Sequence, residues 1–394
     1  MNKSFVLALL ATLSFGQSDQ AELALLNYAA NFGKTYKSVG EMRQRAANYQ
    51  ASLRARPQLE AESPFAVFGD TKFSDWSVAE FDAFLTERKE DRRALASPPP
   101  ASEERNLQSS LADIDWVSVM GPVKDQGGCG SCAAFAVTSL LEGMQVIKTG
   151  NAPLHLSEQQ GLDCARVAPY YNSGCSGGLR DSYMHFYSDN GAMLTSDYPY
   201  TGTDKACTQT SSSPIAVWGD WSSFVDLATS NGASIADLHA NLLNGPIAVG
   251  VNASGWGSQY VSGIASPSDL SCDPLRINHG VVAVGYSAEV TGSPTTTTTT
   301  TSSFSDCTKA SKTEKRSNTC TGANEVIYNR RYCCVETTTT TTTTTPGGVI
   351  TPAYWLIQNS WGVGYGESGF MKLRADSGYG VCGVNRRAYA IDVL

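Results

Sequence analysis

Eleven cysteines is an odd number, and their distribution limits what this chain can fold into. Seven of them, Cys129, Cys132, Cys164, Cys175, Cys207, Cys272 and Cys382, fall in a stretch rich in glycine and aromatics that begins near residue 111. The other four, Cys307, Cys320, Cys333 and Cys334, lie between two threonine tracts, 295–301 and 337–345. Seven thiols allow three bridges with one thiol left over, and four allow two bridges, provided the compartment is oxidising. The N-terminus supplies that condition. Lys3 precedes an apolar run over 5–15, and small or polar residues follow from Gly16, which is the layout of a secretory leader too short to span a bilayer. Residues 1–17 are therefore expected to be a signal peptide, and the chain to enter the secretory pathway. No later stretch approaches the ~20 apolar residues of a membrane helix. With 37 acidic against 29 basic residues and no basic block, the composition argues against a nucleic-acid partner.

Punctuation divides the chain unevenly. Residues 18–95 are charged and helix-like, with Phe32 and Tyr36 spaced i, i+4 on one face. Proline and serine around Pro98-Pro99-Pro100 mark 96–110 as an exposed linker where processing is expected. A compact domain over 111–394 follows, interrupted by an insertion over 290–348. Its threonine tracts cannot bury apolar surface, so they are expected to be solvated stalks carrying O-glycans. They would isolate an island whose four cysteines form two bridges. Asn252, in "NAS", is a candidate N-glycan site.

The stretch "QGGCGSCAAFAV" places Cys129 and Cys132 in a C-x-x-C spacing. Half a zinc site, a redox dithiol, part of a disulfide framework, or a nucleophile beside a structural neighbour would all fit. Zinc is disfavoured, because only four histidines exist and none has ligand spacing to the pair. From Ser131 onward the pattern predicts a buried helix ending near Gly150. Cys132 falls in its first turn, where the helix dipole and open N–H groups favour a thiolate. A nucleophilic cysteine needs a base and an orienting group. His155, His185 and His239 sit in ordinary polar or helical contexts. His279 opens the alternating strand "HGVVAVGYS", with Gly280 leaving room beside it. Asn359 ends the apolar run "YWLIQN" and is followed shortly by Trp361.

Four separated blocks then carry a resemblance: "QGGCGSCAAF", "LSEQQGLDC" with "GCSGG", "NHGVVAVGY", and "QNSWGVGYGESGF". Occurring in that order, they make the sequence similar to papain-family cysteine endopeptidases of the cathepsin L-like branch, over nearly the whole chain except the insertion. The resemblance implies an α+β, papain-like two-lobed fold, with a helical left lobe and an antiparallel β-barrel right lobe, preceded by a mainly helical inhibitory propeptide. It implies peptide-bond hydrolysis through a thioester acyl-enzyme. Cys132 would be the nucleophile, His279 its base, Asn359 the group orienting the imidazole, and Gln126 an oxyanion donor. The implied bridges are Cys129 with Cys175, Cys164 with Cys207, and Cys272 with Cys382. Substrate would meet Gly177, Gly178, Leu179, Arg180, Val249, Gly250, Ile277, Arg387 and Trp361. No metal or cofactor is implied. The expected partners of the monomer are protein and peptide substrates, its own propeptide and cystatin-like inhibitors, in a lysosome-like vacuole or outside the cell.

Departures from the family pattern are informative. Ala133 replaces an aromatic after the nucleophile, Tyr365 a second tryptophan, and Asn278 an aspartate beside the histidine. In the propeptide, Glu41, Arg45 and Tyr49 match, whereas Ser52, Arg56 and Glu60 do not. A second motif reads Gly69-x-Thr71-x-Phe73-x-Asp75. Two arginines, Arg180 and Arg387, fall in a normally apolar S2 pocket. If both point inward, the enzyme would accept acidic P2 residues, with Arg387 at the floor carrying more of the effect. The alternative from another class is a catalytically weak homologue that binds or adheres through its island.

Overall fold

The computed structural model describes residues 17–85, 111–227, 233–268, 271–291 and 350–394, together with the backbone of the strands lying between 296 and 344. The leader and the 96–110 linker lie outside the described residues. The chain divides into two compact units, 1–289 with 352–394, and Val290–Thr351.

The first unit begins with two helices, α1 (Gln17–Phe32) and α2 (Val39–Glu62). Ser38 caps α2 by accepting the Glu41 N–H, and Glu41 accepts the Lys37 N–H in return. The Ser38 bond satisfies one donor that the first helical turn leaves open, and the Glu41 carboxylate ties down the chain just before the cap. Leu25, Tyr28, Ala46 and Tyr49 form the small core between the two helices. Strand β1 (Phe65–Phe68) and helix α3 (Val78–Phe84) follow. The strand was not expected in a mainly helical segment. It pairs antiparallel with β5 (Tyr260–Ala265), from Phe65↔Ile264 to Phe68↔Tyr260. Covering the edge of a sheet satisfies the open N–H and C=O row that an edge strand presents.

Past residue 110 come β2 (Ile114–Asp115), α4 (Cys132–Thr149), α5 (Glu158–Cys164), α6 (Arg180–Asn190), β3 (Gly219–Asp226), α7 (Ile235–Leu242) and β4 (Ile247–Val251). Helix α4 is apolar on most sides, as a central helix must be. Ala133, Val137, Leu140, Leu141 and Met144 join Tyr183, Met184 and Tyr187 of α6 in one core. It stops at Gly150, whose φ of 68° is left-handed and whose N–H closes on Val146 O.

Strand β6 (His279–Ser287) is buried along almost its full length. Val281 and Ala283 face the main core of the sheet, while Val282 and Val284 pack with Ala136 and Met120. A strand covered on both faces reads as a continuous apolar run, which is what "GVVAVGY" shows. The sheet runs β1-β5-β15-β14-β6-β4-β16-β3, with β2 also on β6. Here β14 is Tyr354–Gln358, β15 Phe370–Arg374 and β16 Ala388–Val393. Only the β15–β5 pairing among these ladders is parallel, so the unit is α+β with an antiparallel-rich sheet.

The second unit is extended throughout its described backbone. β7 (Val290–Thr291) pairs with β13 (Ile350–Thr351), β9 (Ser311–Lys312) with β10 (Asn318–Thr319), and β11 (Glu325–Tyr328) with β12 (Tyr332–Thr344), which also pairs with β8 (Thr296–Lys309). The threonine tracts are not separate stalks. They face each other in register, from Thr339↔Thr301 to Thr344↔Thr296. Composition alone missed this because the branched β-carbon of threonine favours extended backbone even where no apolar surface is buried. Cys307, Cys333 and Cys334 fall on these strands, but their side chains and Cys320 lie outside the described residues, and so do the expected bridges.

Candidate active site

Three disulfides pin the loops of the first unit: Cys129–Cys175, Cys164–Cys207 and Cys272–Cys382. Cys132, one helical turn position beyond the first bridge, stays outside them and is fully buried. It is the first residue of α4. Its sulfur accepts the Gly280 N–H at 3.4 Å, which brings the helix N-terminus against the start of β6. Glycine at 280 is what permits this approach, since a Cβ there would lie 3.1 Å from the Ala133 Cα.

His279 precedes that glycine. Its Nε2 lies 2.8 Å from Asn359 Oδ1, and the same oxygen accepts the Ser360 N–H at 2.8 Å. The backbone donor identifies that amide atom as oxygen, so Nε2 carries the proton and Nδ1 is left with its lone pair. Trp361 stacks on the ring, with centroids 4.5 Å apart and planes 24° apart. Complete burial pushes the His279 pKa down to about 4, opposed by the hydrogen bond to Asn359 and assisted by the Arg180 cation. Gln126 is buried as well. Its oxygen accepts from Ser360 Oγ at 2.6 Å and its Nε2 donates to Cys129 O at 2.8 Å, which fixes the amide plane beside the nucleophile's loop. Ser360, absent from the sequence argument, therefore holds both Asn359 and Gln126. Its position inside "QNSW" was the available signal.

A family model described as papain family cysteine protease matches residues 111–391. The chain belongs to the papain family of cysteine proteases. Cysteine proteinase 15A of Pisum sativum is 31% identical over 376 residues, covering 93% of this chain and 85% of the relative. Cysteine proteinase 1 of Zea mays is 30% identical over 391 residues, covering 95% and 87%. Among solved structures, the digestive procathepsin L 3 of Tenebrio molitor larval midgut superposes with a TM-score of 0.65 at 25% identity, covering 94% of this chain and 99% of that one. A recombinant stem bromelain precursor shares the fold, with a TM-score of 0.64 at 22% identity. This papain-family chain is thus a cysteine endopeptidase built with a propeptide, and the reading as a non-catalytic binding homologue is not favoured.

The residues expected at the substrate positions come from several separate elements. Gly177, with φ 107°, and Gly178 lead into Leu179, whose N–H donates to Asn172 Oδ1. Gly250 of β4, after Val249, converges with Ile277 and Arg180. A Cβ on Gly250 would lie 2.6 Å from Ile277 Cγ2 and 2.7 Å from the Arg180 guanidinium. The two arginines are unlike each other in burial. Arg180 is 1% exposed, with its guanidinium over the Tyr389 ring. Arg387 is about one third exposed and pairs with Asp226 at 3.7 Å and Tyr389 Oη at 3.4 Å. Asp226 on β3, distant in sequence, is thus a partner of the nominal floor residue.

Asn252 also departs from expectation. It is 4% exposed, donates to Asp273 O and accepts from Ser254 N–H and Asn278 Nδ2. The "NAS" triplet lies inside the fold, so this amide is not placed to carry a glycan. Ala133 is 1% exposed and packed in the helical core. Tyr365 stands edge-on to Trp361 and donates to Gly257 O. Beneath α4, Lys124 pairs with both Glu142 and Glu158. Two buried carboxylates share one ammonium, and burial holds Glu142 up to about 7.

Residues 17–85 bear directly on this site. Phe73, Phe81 and Phe84 approach Trp361 with centroids at 5.2, 5.6 and 5.9 Å, on a tryptophan that itself stacks on His279. The second propeptide motif explains itself residue by residue. The Gly69 N–H donates to Gln259 O, and Thr71 Oγ1 donates to Ser258 O. Asp75 accepts from Tyr28, Lys34 and Tyr36. Arg56, a departure from the family pattern, pairs with Asp70 at 2.7 Å and reaches Gln259.

Proposed function

We propose that Cys132 is the nucleophile, His279 its general base and acid, Asn359 the group that orients the imidazole, and Gln126 a donor to the oxyanion together with the Cys132 N–H. The observation supporting this most directly is the Asn359 Oδ1···His279 Nε2 contact at 2.8 Å, made by a histidine next to the glycine whose N–H meets the Cys132 sulfur. With Nε2–H held by Asn359, Nδ1 is the nitrogen that takes the thiol proton. The helix N-terminus stabilises the resulting thiolate. Attack on the scissile carbonyl gives an oxyanion beside Gln126, where one donor is worth about 2.7–4 kcal/mol of barrier. The imidazolium then protonates the departing amine, and water hydrolyses the thioester.

Within the same reading, residues 1–17 are a leader into the secretory pathway, 18–95 an inhibitory propeptide removed by cleavage within 96–110, and 290–348 an insertion that is not part of the site. A lysosome-like vacuole or the extracellular space is the destination, and cystatin-like proteins are inhibitors. S2 accepts acidic P2 residues through Arg180 alone, since Arg387 is engaged by Asp226. Charge-assisted bonds to one guanidinium are worth about 1.5–3 kcal/mol, a factor of roughly ten to a hundred in selectivity.

Cys132→Ala tests the core of this reading. It should abolish peptide hydrolysis and accumulate the uncleaved proform, whereas Cys129→Ala should mainly impair folding. Peptide hydrolysis by purified Cys132→Ala protein would refute the assignment. Arg180→Met should shift preference at P2 from Asp and Glu toward Leu and Phe.

A further inference from the structure

Asp125 precedes the proposed oxyanion residue Gln126, and its side chain is half exposed rather than part of the core. Its Oδ1 accepts the Gly127 N–H at 2.9 Å, which holds the carboxylate against its own turn. Its backbone forms an antiparallel bridge with Trp361. Lys72 of the propeptide donates to both of its oxygens, at 2.9 and 2.7 Å. The two side chains are 32% and 48% exposed, so neither is locked away from water. Removal of the propeptide takes the lysine with it and leaves the carboxylate facing solvent.

The position of that carboxylate relative to the reaction follows from the catalytic assignment above, on which this inference rests. His279 protonates the departing amine, so the leaving-group half of the substrate lies on the side of His279 and the Trp361 stacked on it. Asp125 is bridged to Trp361 and therefore flanks that half. We infer that Asp125 is a specificity residue for the segment after the scissile bond, favouring substrates with Lys or Arg there. Lys72 shows that a flexible ammonium side chain reaches both oxygens. The pair is half-solvated, so the effect is modest and salt-sensitive: exposed pairs of this kind correspond to about two- to five-fold.

The experiment uses the processed enzyme and internally quenched peptides that differ only in Lys, Ala or Glu at each of the first three positions after the scissile bond. At one of these positions the ratio of kcat/KM for Lys over Ala should be about two to five at low salt. It should fall toward one near 1 M salt, with Glu below Ala. Asp125→Asn should bring the ratio to one, and Asp125→Glu should keep it above one. A wild-type enzyme indifferent to Lys at all three positions, or an Asp125→Asn enzyme with an unchanged ratio, would overturn the inference. Failure of the wild type to cleave any of the peptides would instead remove the catalytic assignment, and this inference with it.

Discussion

Where residues 17–85 meet the peptidase, the contact has an aromatic centre and a polar margin. At the centre, Phe73, Phe81 and Phe84 close over Trp361, and Phe73 is only 2% exposed. At the margin, Lys72 meets Asp125, Ser254 Oγ donates to Asp82, and the Ser268 N–H donates to Glu62. Burying large apolar rings against each other removes area from water at about 25 cal/mol per Å², and salt does not screen it as it screens a charge pair. Exposed polar pairs exchange water for protein and contribute little net energy. The centre should hold the propeptide down, and the margin should decide its register and its response to ions.

Phe73→Ala is the strongest way to break that division. In a Cys132→Ala background, which prevents self-cleavage, it should cost about 3–5 kcal/mol of proenzyme stability, as for other buried phenylalanines. Thermal unfolding reads the loss. A change as small as that of a margin variant would mean the aromatic centre is not the main hold.

Acid should act on what lies beneath the centre. His279 in the folded chain stays neutral down to about pH 4, whereas in the unfolded chain it takes a proton near 6.5. Between those values the unfolded state binds more protons. The contribution is thus complete above pH 6.5 and is lost as pH falls toward 4, by a few kcal/mol at most. Glu142, held up to about 7 by burial, gives a slope of the opposite sign between its ordinary range and 7. The comparison must therefore be with His279→Gln in the same background. Wild-type histidine should lose stability relative to that variant on going from pH 7 to 4. Parallel pH profiles would show that the ring is not kept dry.

The margin is tested by Lys72→Met, expected to cost no more than about 1 kcal/mol and only at low salt. Smallest of all should be deletion of the insertion. Strands β6 and β14, which flank it in sequence, pair directly with each other, Tyr354↔Ser287 and Trp355↔Tyr286. A chain lacking 290–351 should therefore cleave small peptides at close to the full rate. Loss of activity in a folded deletion variant would make the insertion part of the site.

Much of this molecule was legible before any tertiary contact was known. The helix beginning at Cys132 follows from glycines before it and an unbroken apolar run after it. Strand β6 follows from its apolar run, although the sequence reads it as alternating and the fold buries both its faces, and the order of four motif blocks named the family. These are local signals, carried by residues adjacent in the chain or repeating with the period of one element. What sequence left open depended on partners far away. The sequence reading put Arg387 at the floor and gave it more weight than Arg180, and only the fold gave Arg180 a buried seat beside Gly250 and Arg387 the partner Asp226. The "NAS" triplet carries no sign that Asp273 and Asn278 enclose Asn252. Lys72 and Asp125, 53 residues apart, are joined only by folding. Side-chain burial and charge pairing are set by which surfaces the whole chain brings together, and no single segment contains that information.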